Sequence, residues 1–297
     1  MFNDNEFRFT DHEHVLVRPF VTISQETADA AKAPAGQRTN LLEGVHEHWR
    51  PPPIGHSATR QQRIFAGIQR FVDLQYGSIT NDLTHELRSA HGTVLDVGCG
   101  GQPFRSLLPT GVNYVGIDIV DARERFGYMQ PDTISFSGNV WPVETGSVDL
   151  VLCTETLEHV IDPDVFLSEA HRCLKQGGRL VLTVPFAARW HFIPYDYWRF
   201  TPSGMRHLLS KAGFDEIRVL GRGNSLTVAC YKVMTLYLAA AWPYRKGFFR
   251  RIFSALVAIV FSPLFLLLAV VGNFSLRWDG ANDYLGLTVT AKSRQAT

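Results

Sequence analysis

A glycine run flanked by two aspartates carries the first chemical signal in this sequence. Gly98-Cys99-Gly100-Gly101-Gln102-Pro103 directly follows the apolar run Val94–Val97. Glycines at such a junction let a backbone approach a ligand where a Cβ would clash, and the loop is expected to open a helix. Asp96 stands just before the first glycine, an awkward neighbour for a phosphate and a suitable one for a cationic or hydroxylated ligand. Pro103 occupies the place where a dinucleotide loop has its third glycine, which weakens the case for a pyrophosphate on a helix N-terminus. Asp118, at the end of the next apolar run, is placed to accept hydrogen bonds from both hydroxyls of a ribose. Further on, His159, His191 and Asp196 offer groups that could take a proton from a hydroxyl, although His159 could equally pack against a cofactor. Tyr195, Tyr197 and Trp198 surround Asp196 and Arg199, and together they could wall a sugar ring by stacking and polar contacts. The plainer reading of that segment is an aromatic plug that pins the loop, with Arg199 paired to Asp196.

Regular elements must hold these groups in place. From Ala58, Ile64, Ile68, Phe71 and Val72 recur at helical spacing, which predicts an amphipathic helix of about five turns, followed by a second helix near Asn81–Ser89. Strands are predicted at Val94–Val97, Tyr114–Ile117, Thr133–Phe136, Val148–Leu152, Arg179–Val184 and Glu216–Leu220, with a last one at Tyr284–Thr290. Helices fall at Asp162–Leu174, closed by Gly177-Gly178, and at Thr201–Ala212, where Thr201 is the N-cap and Pro202 the first helical residue. Short apolar strands alternating with helices predict an α/β fold, a doubly wound Rossmann-like sheet.

In that order, Val94–Gly100, Gly116-Ile117-Asp118, Val148–Val151, Glu155–Val160 and Leu174–Leu180 resemble the class I S-adenosylmethionine-dependent methyltransferases over roughly residues 60–222. The resemblance implies S-adenosyl-L-methionine as cofactor. It places Gly98, Cys99 and Gly100 against the cofactor's amino-acid portion, with Asp96 organising the loop and Asp118 holding the ribose. Asn139, where relatives often have Asp, and Val140 would lie near the adenine, and Thr154 and Glu155 near the ammonium. The string Tyr195–Pro202 further resembles a subgroup associated with surface-polysaccharide and glycolipid biosynthesis. That implies O-methylation of a glycan or lipid-linked sugar.

Composition bounds the remaining alternatives. The 297 residues carry 29 Lys+Arg against 28 Asp+Glu, a net charge of +1, so nothing marks a nucleic-acid surface. Four scattered cysteines show neither zinc spacing nor a disulfide framework, and no metal is implied. The charge is uneven: residues from Ala240 onward carry +5 and the rest −4. Ile252 to Asn273 holds no charged residue and follows Arg245, Lys246, Arg250 and Arg251. Such a run could cross a bilayer of about 30 Å as one helix. Ser262-Pro263 sits at its middle, however, and the last strand must rejoin the sheet. A helical hairpin turning near Pro263 and dipping into the membrane, or a helix pair lying in its interface, is therefore expected, with Val233–Trp242 alongside. The plain alternatives are a buried helical subdomain and an interface in a homo-oligomer.

The expected organisation is an arm or lid over 1–57, a methyltransferase core over 58–223, an apolar insertion over 224–281, and a last strand and tail over 282–297. Met1–Asp11 is polar, as no secretory signal would be. A cytoplasmic protein, peripheral or monotopic on the inner membrane face, is the matching expectation. Competing readings are a methyltransferase acting on a quinone or isoprenoid-type membrane substrate, which would have an apolar acceptor pocket, and a non-catalytic membrane adaptor of the same shape. A nicotinamide-dependent oxidoreductase would share the glycine loop and Asp118, but Pro103 and the lack of an evident Tyr-x-x-x-Lys pair argue against it.

Overall fold

The computed structural model describes residues 60–127, 129–241, 248–278 and 282–294. The expected N-terminal arm lies outside these residues. Seven strands form one sheet in the order β3-β2-β1-β4-β5-β7-β6. They are β1 (Thr93–Val97), β2 (Asn113–Ile119), β3 (Ile134–Phe136), β4 (Val148–Thr154), β5 (Leu174–Pro185), β6 (Phe214–Gly221) and β7 (Gly286–Ser293). β7 runs antiparallel to both β5 and β6, while β1 to β5 pair in parallel. The C-terminal ends of β1, β2, β4, β5 and β6 therefore share one edge, the edge at which open α/β sheets bind ligands. The central strands are buried on both faces, so β1 and β4 read as continuous apolar runs rather than alternating ones.

Helices α1 (Arg60–Val72), α2 (Leu74–Leu87), α3 (Ala122–Phe126), α4 (Pro163–Cys173), α5 (Pro202–Lys211), α6 (Ser225–Ala241) and α7 (Phe248–Ser275) complete the fold. Asp162 and Thr201 cap α4 and α5 through side-chain bonds to Val165 N and Gly204 N. Three expectations need correction. The first helix stops at Val72 because Asp73 leaves helical geometry and accepts from the amides of Gln75 and Tyr76, which starts α2 seven residues before Asn81. The glycine loop opens no α-helix, for it leads only to a 3-10 turn at Arg105–Leu107. Gly177-Gly178 does not cap α4 either: Leu174 enters β5 at once, and the glycines lie where the β4–β5 register jumps, Gly177 at φ +71°.

The apolar insertion is a hairpin, but it does not turn at Pro263. α7 runs unbroken for 28 residues with Pro263 inside it. Proline offers no N–H to the carbonyl four residues back, which here is that of Ile259. The Ser262 hydroxyl donates to that same carbonyl at 3.0 Å and so relieves the break. α6 supplies the other arm: Tyr237 Oη donates to Ala258 O at 2.9 Å, and its ring lies 4.8 Å from that of Phe265. At the base, Asn224 Nδ2 donates to the carbonyls of Ser275 and Trp278. There Leu74, Cys230, Met234, Ala269 and Leu285 form a small core. Beyond that base, Ile252–Ser275 has mean hydropathy 2.7 with 11% of its most apolar window buried, long and apolar enough to cross a membrane. The outward side of α1 is also apolar and exposed at Ile64, Phe65, Ile68 and Phe71.

Candidate active site

The β1–β2 edge gathers the glycine loop and both aspartates. Gly98 (φ +69°) and Gly100 (φ +48°) take backbone conformations that suit glycine. At Gly98 the space is filled from within, since a Cβ would lie 2.2 Å from Thr156 Cγ2; internal packing there, not ligand approach, excludes a side chain. Cys99 turns its thiol inward, 3.5 Å from Thr133 Oγ1, so its backbone alone borders the loop. Asp118 accepts from Gly100 N at 2.9 Å through Oδ2 and from Ile119 N at 2.8 Å through Oδ1. It thereby ties the loop to β2, and its burial pushes the carboxyl above its ordinary range.

Asp96 is more strained electrostatically. Burial raises its pKa to about 7, against the hydrogen bond from Tyr114 Oη at 2.7 Å to Oδ2. Oδ1 has no partner. A buried acceptor left unmet calls for a donor or a cation. With the glycine loop and Asp118 beside it, this edge fits a cofactor with a cationic amino-acid end and a ribose. Asn139 and Val140 lie beyond β3 and are exposed, Val140 at 58%. Thr154 closes β4, and Glu155 follows at φ +49°, its carboxylate paired with Arg222 Nη2 at 3.1 Å.

The second half of the site joins the loops after β4 and β5. His191 Nδ1 faces two acceptors, Asp196 Oδ2 at 2.8 Å and Arg189 O at 3.1 Å. Both partners are acceptors, so Nδ1 carries a proton, and Nε2 is the nitrogen left to exchange one. Arg199 grips Asp196 through two nitrogens at 2.6 and 2.7 Å. Burial opposes ionisation of Asp196, yet the bonds from Arg199 and His191 hold its carboxyl well below the usual range. Base, orienting carboxylate and guanidinium thus form a chain of charge-assisted bonds. Asp196 and Arg199 are paired, as the plug reading of this segment expects.

His159 donates from Nδ1 to Tyr195 O at 2.7 Å, and burial lowers its pKa to about 4, so it is neutral at pH 7. Its Nε2 faces Glu158 Oε1 at 3.7 Å. Glu158 is fully buried, neither of its oxygens has a hydrogen-bond partner among the described residues, and desolvation pushes its pKa well above the ordinary value. One ligand atom each from Glu158, His159 and His191 lie within 4.8 Å of one another, so this trio could hold a metal ion. Around them stand rings: Phe126 lies 5.2 Å from both His159 and Phe192 and 6.4 Å from Tyr195. Tyr197 and Trp198 remain 43% and 42% exposed, Trp198 anchored by Nε1 to Val160 O at 2.9 Å. Sequence reasoning missed Tyr114, Phe126, Glu158 and Arg222, whose roles depend on partners distant along the chain.

The sequence profile of a methyltransferase domain family matches residues 59–219. A ubiquinone biosynthesis O-methyltransferase of Xanthomonas oryzae is 33% identical over 150 residues, 46% of this chain and 60% of that protein. One from Psychrobacter arcticus is 26% identical over 182 residues, 52% of this chain and 71% of its own. The chain thus spans about three-fifths of the Xanthomonas relative's length. Among solved structures, an Archaeoglobus fulgidus SAM-dependent methyltransferase aligns with TM-score 0.46 at 15% identity, covering 77% of this chain and 99% of its own. A Haemonchus contortus phosphoethanolamine N-methyltransferase in complex with S-adenosyl-L-methionine aligns with TM-score 0.43 at 17% identity, covering 80% and 59%.

Proposed function

This chain belongs to the methyltransferase-domain family and uses S-adenosylmethionine, and from that premise we propose that it O-methylates a hydroxyl on a membrane-borne acceptor with an aromatic headgroup. The observation that carries this reading is the His191–Asp196 dyad set among Phe126, Phe192 and Tyr195 at the ligand-binding edge. When bound, the cofactor supplies a methyl group on a sulfonium, an electrophile that needs chiefly an aligned nucleophile. His191 Nε2 takes the acceptor's hydroxyl proton, while Asp196 holds Nδ1–H and balances the imidazolium. Arg199 keeps Asp196 ionised. The surrounding rings exclude water and pack against an apolar ring rather than a polar one. The names of the relatives, ubiquinone biosynthesis O-methyltransferases, agree with such an acceptor.

The α6–α7 hairpin supports the membrane part. α6 begins just after β6 ends at the site edge, so the hairpin rises beside the chemistry. α7 is apolar and exposed at Ile252, Phe253, Ile259, Phe261, Leu264 and Leu266, positions that at about 100° per residue cover more than half of its circumference. A helix lying flat on a membrane needs a polar face; one exposed and apolar on most sides suits insertion. A saccharide acceptor is the second reading, favoured by the exposed rings of Tyr197 and Trp198. Methyl-labelled S-adenosylmethionine, full-length protein and total membrane lipid separate the two. Label is expected in phenolic or quinol lipids; label in glycolipids selects the saccharide; label in neither defeats both. Leu256→Asp with Ile259→Asp is expected to move the protein from floated liposomes to the soluble fraction.

A further inference from the structure

Arg222 places a guanidinium where a protein interior seldom keeps one without full pairing. Its side chain is 0% exposed. From the end of β6 it reaches back over β7 toward β5 and β4, and the backbone makes room for it. A Cβ at Gly286 would lie 2.1 Å from Arg222 Nη2, so glycine is required at that crossing. The backbone around it is pinned, with Arg222 N donating to Gly286 O at 2.8 Å and Leu285 N to Arg222 O at 2.9 Å. Nη2 is shared between Glu155 Oε1 at 3.1 Å and Gln75 Oε1 at 3.2 Å, with Val184 O at 3.5 Å. Nε and Nη1 have no partner among the described residues. A buried charge is tolerated when its donors are met, and here two of three donor nitrogens are not.

The setting says what would meet them. Glu155 stands between Arg222 and the glycine loop. Its own amide donates to Thr183 O at 2.9 Å, and the next residue, Thr156, donates from Oγ1 to Gly98 O at 3.3 Å. On the adjacent strand β1, Asp96 Oδ1 is a buried acceptor with no donor. One edge thus presents unmet acceptors and a carboxylate toward a cation, and unmet guanidinium donors toward an anion. That is the complement of a zwitterionic amino acid. We propose that Arg222 binds the carboxylate at the amino-acid end of S-adenosylmethionine, with the acids of the same edge facing its ammonium. The assignment concerns the cofactor and is independent of the acceptor.

A rival role is a strut, in which Arg222 merely offsets the half-buried Glu155 and the acids that Glu155 repels, Asp73 and Glu158. The two differ in what they do to ligands. Calorimetry on the full chain in detergent compares S-adenosylhomocysteine with its decarboxylated analogue. The wild type is expected to bind the carboxylate-bearing ligand about 10- to 100-fold more tightly, the range for hydrogen bonds to a charged group. Arg222→Gln is expected to bind both alike, with affinity for the decarboxylated analogue unchanged, and Arg222→Lys to fall between. A strut would weaken both ligands by the same factor, and that result overturns the assignment. So does a wild type that binds the two equally, a test that requires no variant to fold. A wild type that binds neither ligand removes the cofactor assignment and this one with it.

Discussion

Asp96→Asn should make the cofactor-free protein more stable while weakening its grip on the cofactor. Burial pushes the native carboxyl up to about 7, from an ordinary value for aspartate of about 3.9. Each unit is worth about 1.4 kcal/mol, so keeping Asp96 ionised in the folded protein costs about 4 kcal/mol. The sign follows from proton uptake. Between pH 4 and 7 the unfolded chain has lost this proton and the folded chain keeps it, so stability falls as pH rises through that window. The asparagine variant lacks this share of the slope, and at pH 8 it should be about 4 kcal/mol more stable. Urea unfolding of the full chain at pH 5 and pH 8, without cofactor, reads the difference. Calorimetry with S-adenosylhomocysteine at pH 8 should show the opposite order, because the amide no longer offers a charge to the ligand's cationic end. A variant no more stable at pH 8, or one with an unchanged slope between pH 5 and 8, would refute the assignment of strain to Asp96.

Two further outcomes follow from the bond network. Asp196→Asn and His191→Gln should each lower kcat by about 10²- to 10⁴-fold while leaving S-adenosylhomocysteine affinity within a factor of a few, since both act on the acceptor's proton. Equal losses in cofactor binding, measured by calorimetry, would place the dyad elsewhere in the mechanism. Asn224→Ala removes bonds to the carbonyls of Ser275 and Trp278 and to the amides of Leu226 and Thr227. The hairpin base should lose about 2–3 kcal/mol, seen as earlier urea unfolding and as protease cleavage near residue 278.

What the sequence disclosed, and what it hid, divides by range. Asp118 was legible because a strand end and a glycine loop have fixed separations in this kind of sheet. Thr201 and Asp162 were legible because caps act on amides a few residues away. Pro263 misled for an equally local reason: the rule that proline breaks helices holds until a neighbour serves the orphaned carbonyl, as Ser262 does for Ile259. Asp73 ends α1 within an apolar period that would otherwise run on, so α2 was placed late. Arg222 and Glu155 lie 67 positions apart, and nothing near either residue announces the other. Tyr114 and Asp96 meet across neighbouring strands, visible only once the register Asp96–Gly116 is known. The glycan reading rested on a resemblance in residues 195–202; there Asp196 and Arg199 bind each other, the i,i+3 pairing that the plug reading of the same segment expected.

The three-residue turn that stands in for a helix after the glycine loop has an electrostatic consequence. A full helix there would aim the positive end of its macrodipole, equivalent to about half an elementary charge, at whatever the loop holds. Phosphates gain from that field, and a sulfonium would lose by it. With the turn so short, no helix end adds to the field at Gly98–Gly101, and the carboxyls beside the loop are those of Asp96 and Asp118. The loop therefore selects charge by what its backbone omits as much as by the carboxylates it displays: a cationic ligand meets no opposing dipole, and a pyrophosphate finds none to draw it in.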